Sequence, residues 1–348
     1  MGSKIKIGFS VGDLNGIGME VILKTLEDNR ICELCTPIVY GSKRLNNYYA
    51  KAFNIRNPNI NYIDDISEMK NGKINVLNVW EEEVSINTGE ESSESGAYAY
   101  KSLKALAVDV KSGKVDAMVT APINKKAIQS NEFNFPGHTE FLQSIDGAED
   151  VLMFMLSEEA KIGVVTGHIP LKDVVERINI DLILKKITLM NNSLKDDFGI
   201  RKPKIAVLGL NPHAGDNGLI GSEETEIIEP AIKQAKSIDI LAFGPYPADG
   251  FFGSSKQRMF DGVLAMYHDQ GLIPAKQFSF GKGVNFTAGL SIIRTSPDHG
   301  TAFDIAGQGI AEESSFRNAL YCAIDIVKHR NTKEELEENA LDANKSRR

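Results

Sequence analysis

The chain has little cysteine, a single tryptophan and no surplus of basic residues. Three cysteines in 348 residues are too few, and odd in number, for a disulfide framework. The count fits a reducing cytoplasm, where we place the protein. Cys32 and Cys35 have the spacing of a metal or redox pair, but no second pair accompanies them and they read as incidental thiols. No stretch approaches the ~20 apolar residues of a membrane span. The amino terminus lacks the apolar core of a secretory signal, and position 6 is Lys, not the Ser or Thr of a myristoylation signal. A formal net charge of −8 excludes a general nucleic-acid or membrane-surface binder, which needs a basic face.

A dinucleotide fingerprint is also missing. Residues 5–10 read as a strand, followed by Gly12, Gly16, Gly18 and a helix from 21. The spacing is G-x-x-x-G-x-G instead of G-x-G-x-x-G, with no acidic residue at the expected later position, so a Rossmann turn is not indicated.

What remains is an ordinary globular composition, 42% hydrophobic and 25% charged, enough for one large α/β domain or two smaller ones. Short apolar runs at 36–40, 115–122, 205–210, 238–243 and 263–267 read as buried strands, and 151–156 with 161–166 as a hairpin. Amphipathic spacing predicts helices at 96–110, 171–194, 223–236 and 316–328. The polar stretch 57–95 reads as solvated loop, and the chain from 331 onward as a charged, frayed tail.

Chemistry gathers where strands stop. The run 263–267 ends at His268, Asp269, Gln270 and Gly271; 162–166 runs into His168, and 205–210 into His213. In open α/β sheets, ligands collect at the carboxyl ends of strands. Taken singly, each histidine is more often a hydrogen-bonded structural residue. Their shared placement points to one metal site, His168, His213 and His268, suited to Zn, Co, Ni or Fe. Asp249 and Asp269 are the acid/base candidates. Lys276 and Arg294, with Asn285, His138 and Thr139, offer a cationic side for a phosphate or carboxylate. Residue type alone equally allows surface ion pairs, and Thr139 also fits a plain helix cap.

Eight segments recur in a known order: Gly-Asp-x-x-Gly-Ile-Gly from Gly12, Val-Thr-Ala-Pro-Ile-Asn-Lys from Val119, Phe-Pro-Gly-His-Thr-Glu from Phe135, and Thr-Gly-His-Ile-Pro-Leu from Thr166. Leu-Asn-Pro-His-Ala-Gly from Leu210, Gly-Pro-Tyr-Pro-Ala-Asp from Gly244, Ala-Met-Tyr-His-Asp-Gln-Gly-Leu-Ile-Pro from Ala265 and Ile-Ile-Arg-Thr-Ser-x-Asp-His-Gly-Thr-Ala from Ile292 follow. Over nearly its whole length the chain resembles the 4-hydroxythreonine-4-phosphate dehydrogenase family of vitamin B6 biosynthesis.

The resemblance implies an isocitrate/isopropylmalate dehydrogenase-like fold, with two α/β/α domains and the active site in the cleft between them. Residues 1–130 and 276–330 would form the first domain, 131–275 the second, and 331–348 the tail. It implies a homodimer with a shared active site, in which His168 and His213 of one subunit and His268 of the other hold a divalent metal (Zn, Co or Mg). His138, Thr139, Lys276, Asn285 and Arg294 would hold the phosphorylated substrate. NAD, with NADP as the alternative, would lie along His299, Gly300, Thr301, Asp304 and Gly307. Leu14, Asn15 and Met19 in the first glycine loop, and Glu312–Ser314 after the cofactor loop, depart from the family pattern.

The implied activity is metal-dependent oxidation of 4-phosphooxy-L-threonine by NAD. The β-keto acid so formed loses CO2 to give 3-amino-2-oxopropyl phosphate. Rival expectations are a sister dehydrogenase acting on 4-phospho-D-threonate or D-erythronate, a three-histidine zinc hydrolase, and a non-catalytic phosphometabolite sensor.

Overall fold

The structure is a computed structural model that describes residues 4–56 and 59–339. Its strands are β1 (Lys6–Ser10), β2 (Thr36–Gly41), β3 (Ile60–Ile63), β4 (Ile74–Asn78), β5 (Ala117–Thr120) and β6 (Leu152–Leu156). They continue with β7 (Lys161–Thr166), β8 (Lys204–Leu208), β9 (Leu241–Tyr246), β10 (Gly262–Tyr267), β11 (Val284–Ala288) and β12 (Arg294–Pro297). All twelve join one continuous sheet in the order β3-β4-β2-β1-β5-β12-β11-β6-β7-β10-β8-β9. Strands from 1–130 and 276–330 fill one side of that order, and strands from 131–275 fill the other.

Both outer blocks are parallel within themselves, while β12–β11, β11–β6 and β6–β7 pair antiparallel. Three reversals leave β5 and β12 running opposite to β7 and β10. The carboxyl ends of the two blocks therefore do not share an edge, and a common site has to lie across the central strands.

The sheet is covered on both faces, which is why its strands read as unbroken apolar runs. Val119 faces one core cluster with Phe9 and Phe316, and its neighbour Met118 faces another with Leu103 and Leu106. Helix Ser93–Lys111 covers the second face and helix Ser314–Glu338 the first.

Four readings of the sequence need correction. The stretch 57–95 contains β3 and β4. Buried Asn75 hides the strand signal, yet its amide is satisfied by the carbonyls of Lys70 and Lys73, each at 3.1 Å. The helix expected over 171–194 is two helices, Leu171–Arg177 and Ile180–Asp196. Asn179 breaks it by accepting the Leu182 amide in an N-cap at 2.9 Å. The helix expected from Glu223 begins with a π-helical turn, Glu224–Ile228. Finally, the chain does not fray at 331: the last helix runs to Glu338, pinned to its neighbour by Arg330–Asp197 at 2.7 Å and Lys333–Asp196 at 2.8 Å. Residues 340–348 of the expected tail lie outside the described residues.

Cys32 and Cys35 are both buried, and burial pushes the Cys35 thiol up to about 12. A thiol held protonated is a poor nucleophile.

Candidate active site

A cleft of about 350 Å³ crosses the face of β6, β11 and β12. Met153 and Met155 from β6, Asn285 from β11, and Arg294 and Ser296 from β12 make its floor. Each pair is spaced by two along its strand, so the side chains emerge on one face. Thr120 and Lys125 enter from the end of β5, His138 to Glu140 from the start of helix His138–Asp146, and His168 and His268 from the ends of β7 and β10. His268 also opens helix His268–Ser279, which carries Lys276 to the rim.

Arg294 dominates the electrostatics. The residue is 3% exposed, and its guanidinium meets only hydroxyls, Thr120 Oγ1 at 3.0 Å from Nε and Thr287 Oγ1 at 3.3 Å from Nη1. No carboxylate pairs with it among the described residues. Burial lowers its pKa to about 10, so it remains charged at neutral pH. A buried, unpaired guanidinium facing a cleft calls for an anion.

Three covered polar atoms around the same cleft also lack partners among the described residues: His138 Nε2, Asn285 Oδ1 and His299 Nε2. His138 keeps a partly exposed edge, but its ring nitrogen is covered. Burial first, then the charges of Arg294 and Lys125, hold it well below the ordinary 6.5. A neutral His138 can donate to an oxyanion through a nitrogen that has no other task. Lys276 sits at the rim, 60% exposed and 3.6 Å from Asp298.

His168 and His268 face each other with ring centroids 5.5 Å apart and planes tilted by 45°. Two imidazoles on one tetrahedral ion put their centroids roughly 5 Å apart, from metal–nitrogen bonds of about 2.0–2.1 Å. Burial, followed by Lys125, depresses the pKa of His168 and keeps it in the neutral form a metal requires. His268 Nδ1 lies 2.6 Å from Asp269 Oδ1, a contact that orients the ring and leaves Nε2 for the cleft.

His213 is elsewhere. It stands exposed in the turn Pro212–Gly218 and does not line the cleft. Among the described residues of one chain, no group of three His, Cys, Asp or Glu side chains could hold a metal. Within a single chain it is His168 and His268, not His168 and His213, that share a cleft. The expected acid/base residues also lie outside it. Asp269 is behind His268, and exposed Asp249 lines a neighbouring apolar groove with Phe252 and Ile273.

Of the expected cofactor residues, His299 and Gly300 line the cleft. Thr301 accepts the Ile17 amide through its carbonyl at 3.1 Å, and Gly307, at φ +80°, lies so close to Thr88 that an added Cβ would sit 2.8 Å from its hydroxyl. The 299–309 loop thus rests on the first glycine loop. Thr139 lines the cleft but caps nothing: Gly137 is the N-cap, without a side-chain bond.

Sequence reasoning did not select Lys125, Glu140 or Asp298, which all line the cleft. Lys125 and Glu140 stood inside motifs already noted, and only the approach of their elements reveals them.

The family model for the pyridoxal phosphate biosynthetic protein PdxA matches residues 33–323. The chain belongs to the PdxA family. A 4-hydroxythreonine-4-phosphate dehydrogenase of Bacteroides thetaiotaomicron is 46% identical over 340 residues, 97% of this chain and 93% of that protein. A relative from Oceanobacillus iheyensis, provisionally named D-threonate 4-phosphate dehydrogenase, is 40% identical, covering 94% of this chain and 99% of its own. The crystal structure of the Klebsiella pneumoniae 4-hydroxythreonine-4-phosphate dehydrogenase superposes with a TM-score of 0.81 at 35% identity, covering 93% of this chain and all of that one. The PdxA-family fold is therefore established for this chain. All three relatives are named as dehydrogenases, which disfavours the hydrolase and sensor readings.

Proposed function

We propose that this PdxA-family chain oxidises 4-phosphooxy-L-threonine with NAD to a β-keto acid that loses CO2 to give 3-amino-2-oxopropyl phosphate, acting as a cytoplasmic homodimer. The observation that carries the reading is the buried Arg294, which among the described residues touches no carboxylate and feels Glu140 only at a distance, set beside the unpartnered His138 Nε2 and Asn285 Oδ1. A phosphate ester supplies the missing charge and the missing acceptor oxygens together. Turned about its amide, Asn285 would put Nδ2 where the unpartnered Oδ1 stands and donate to that ester. Thr139 adds a hydroxyl, and Lys276 a point charge at the rim. Fixing the remote phosphate sets the reacting carbon in one place, so binding energy is spent on orientation.

His168 and His268 are suited to a divalent metal. A metal bound there supplies Lewis-acid polarisation of the substrate hydroxyl. We assign the third ligand to His213 of a second chain, because its own chain holds it out on an exposed loop beside exposed Leu219 and Ile220. Asp269 keeps the His268 ring in place and is not the proton acceptor. NAD, or NADP, bound along His299, Gly300, Thr301, Asp304 and Gly307 would accept the hydride.

The test is NADH formation with 4-phosphooxy-L-threonine and a divalent metal, compared with 4-phospho-D-threonate and D-erythronate. The second reading, a sugar-acid phosphate dehydrogenase, has support in the Oceanobacillus relative. A higher kcat/KM on either sugar acid replaces the proposed substrate. No NADH from any of the three overturns the activity.

A further inference from the structure

We propose that Glu224 is the positioning residue that presents His213, by holding a left-handed turn the chain cannot maintain alone. The inference rests on the reading of His213 as a metal ligand.

After β8 the backbone enters six consecutive residues with positive φ: His213 54°, Ala214 51°, Gly215 77°, Asp216 44°, Asn217 55° and Gly218 91°. Only two are glycine. The Cβ of an L-residue crowds its own carbonyl in this region, so the turn persists only if its surroundings impose it.

Glu224 supplies the restraint. It is 1% exposed, and its Oε1 accepts the backbone amides of Leu210 and Asn211, both at 2.7 Å. Its Oε2 accepts Asn211 Nδ2 at 2.9 Å, and Glu223 accepts the same amide nitrogen at 2.7 Å. No cation pairs with Glu224 among the described residues, so N–H donors from the base of the turn stabilise its charge. Gly215 presses against it: an added Cβ would stand 2.6 Å from Oε2.

Glu224 opens the π-helical turn Glu224–Ile228, an irregularity that recurs at functional sites. From the other side, Gln270 donates to the Gly209 carbonyl at 2.6 Å and accepts the Met266 amide at 2.7 Å. The base of the His213 turn is thereby clamped between a buried carboxylate and the segment that carries His268. A surface loop needed only to connect two elements would relax to right-handed conformations. This one is held in strain with an imidazole at its exposed end.

The experiment uses the full-length protein and titrates Co²⁺ against a competing chelator, for wild type, Glu224→Gln and His213→Ala. Glu224→Gln keeps the shape but sets an amide against Asn211 Nδ2, and is expected to weaken Co²⁺ binding about 10–100-fold, as for other groups that orient ligands. Mixed dimers supply a readout that a merely structural role would not move. Glu224→Gln combined with His168→Ala should recover one site's Co²⁺ affinity and absorption spectrum, whereas Glu224→Gln combined with His213→Ala should not. Should Glu224→Gln fail to fold, Gly215→Ala, which presses on the same carboxylate oxygen, carries the same expectation. Wild-type Co²⁺ affinity in the Glu224 variant, with His213→Ala weakened, overturns the positioning role alone. Wild-type affinity in His213→Ala overturns the ligand assignment on which that role rests.

Discussion

At the scale of single residues, Arg294 shows a conflict between folding and binding. A guanidinium 3% exposed and bonded only to two threonine hydroxyls destabilises the ligand-free protein. Arg294→Met should raise unfolding stability by about 1–3 kcal/mol while raising KM for the phosphorylated substrate at least tenfold. Denaturant titration and initial rates check both; a destabilised variant would mean that the two hydroxyl bonds outweigh desolvation. His138 gives a pH signature. Its folded imidazole is held below the ordinary 6.5, chiefly by burial, so under acid conditions the unfolded chain binds a proton that the folded chain refuses. The associated stability is complete above pH 6.5 and is lost as pH falls below it. In chelator-treated protein, His138→Gln should lose less stability between pH 7.5 and pH 5.0 than wild type does; equal losses would exclude this role.

Residue type and strand-end placement singled out His168 and His268, which the fold brings to one cleft, whereas residue type alone left Arg294 open to a surface ion pair. Sequence could not show that Arg294 is unpaired, because pairing depends on which strands become neighbours. Nor could it separate Asp269 behind a histidine from an aspartate in the cleft.

At the scale of elements, long parallel strands were readable because both their faces are buried. Strands with a polar interior, such as β4 with Asn75, were not. Helix Ser93–Lys111 approaches the loop after β5 at Gly96, where an added Cβ would meet the Ala127 carbonyl at 2.0 Å. That contact fixes the loop carrying Lys125. Gly96→Ala must push helix and loop apart, and should destabilise the protein by about 1–3 kcal/mol and raise the substrate KM. An unchanged melting temperature with unchanged KM would show the approach to be soft. The left-handed turn at His213 was not legible in the sequence, since four of its six residues are not glycine.

At the scale of the whole molecule, the sheet joins both halves without a break, while the histidine set is incomplete in one chain. Under the proposed assignment, mixing inactive His168→Ala and His213→Ala proteins should restore activity, because one site of each hybrid then has all three imidazoles. Mixing His168→Ala with His268→Ala should not. Rescue in the second mixture, with subunit exchange confirmed, would return the division to His168 and His213 on one subunit. Sequence singled out the three histidines, but which of them meet within one chain depends on the neighbouring order of β7, β10 and β8, which no spacing records.

The lack of any carboxylate in contact with Arg294 among the described residues has a practical corollary. A cation shut inside a cleft is satisfied by any small doubly charged oxyanion, so inorganic phosphate or sulfate in a buffer would occupy the place meant for the ester. Such salts should act as competitive inhibitors and raise the melting temperature, as any ligand of the folded state does. Kinetic constants for this protein are best measured in zwitterionic sulfonate buffers.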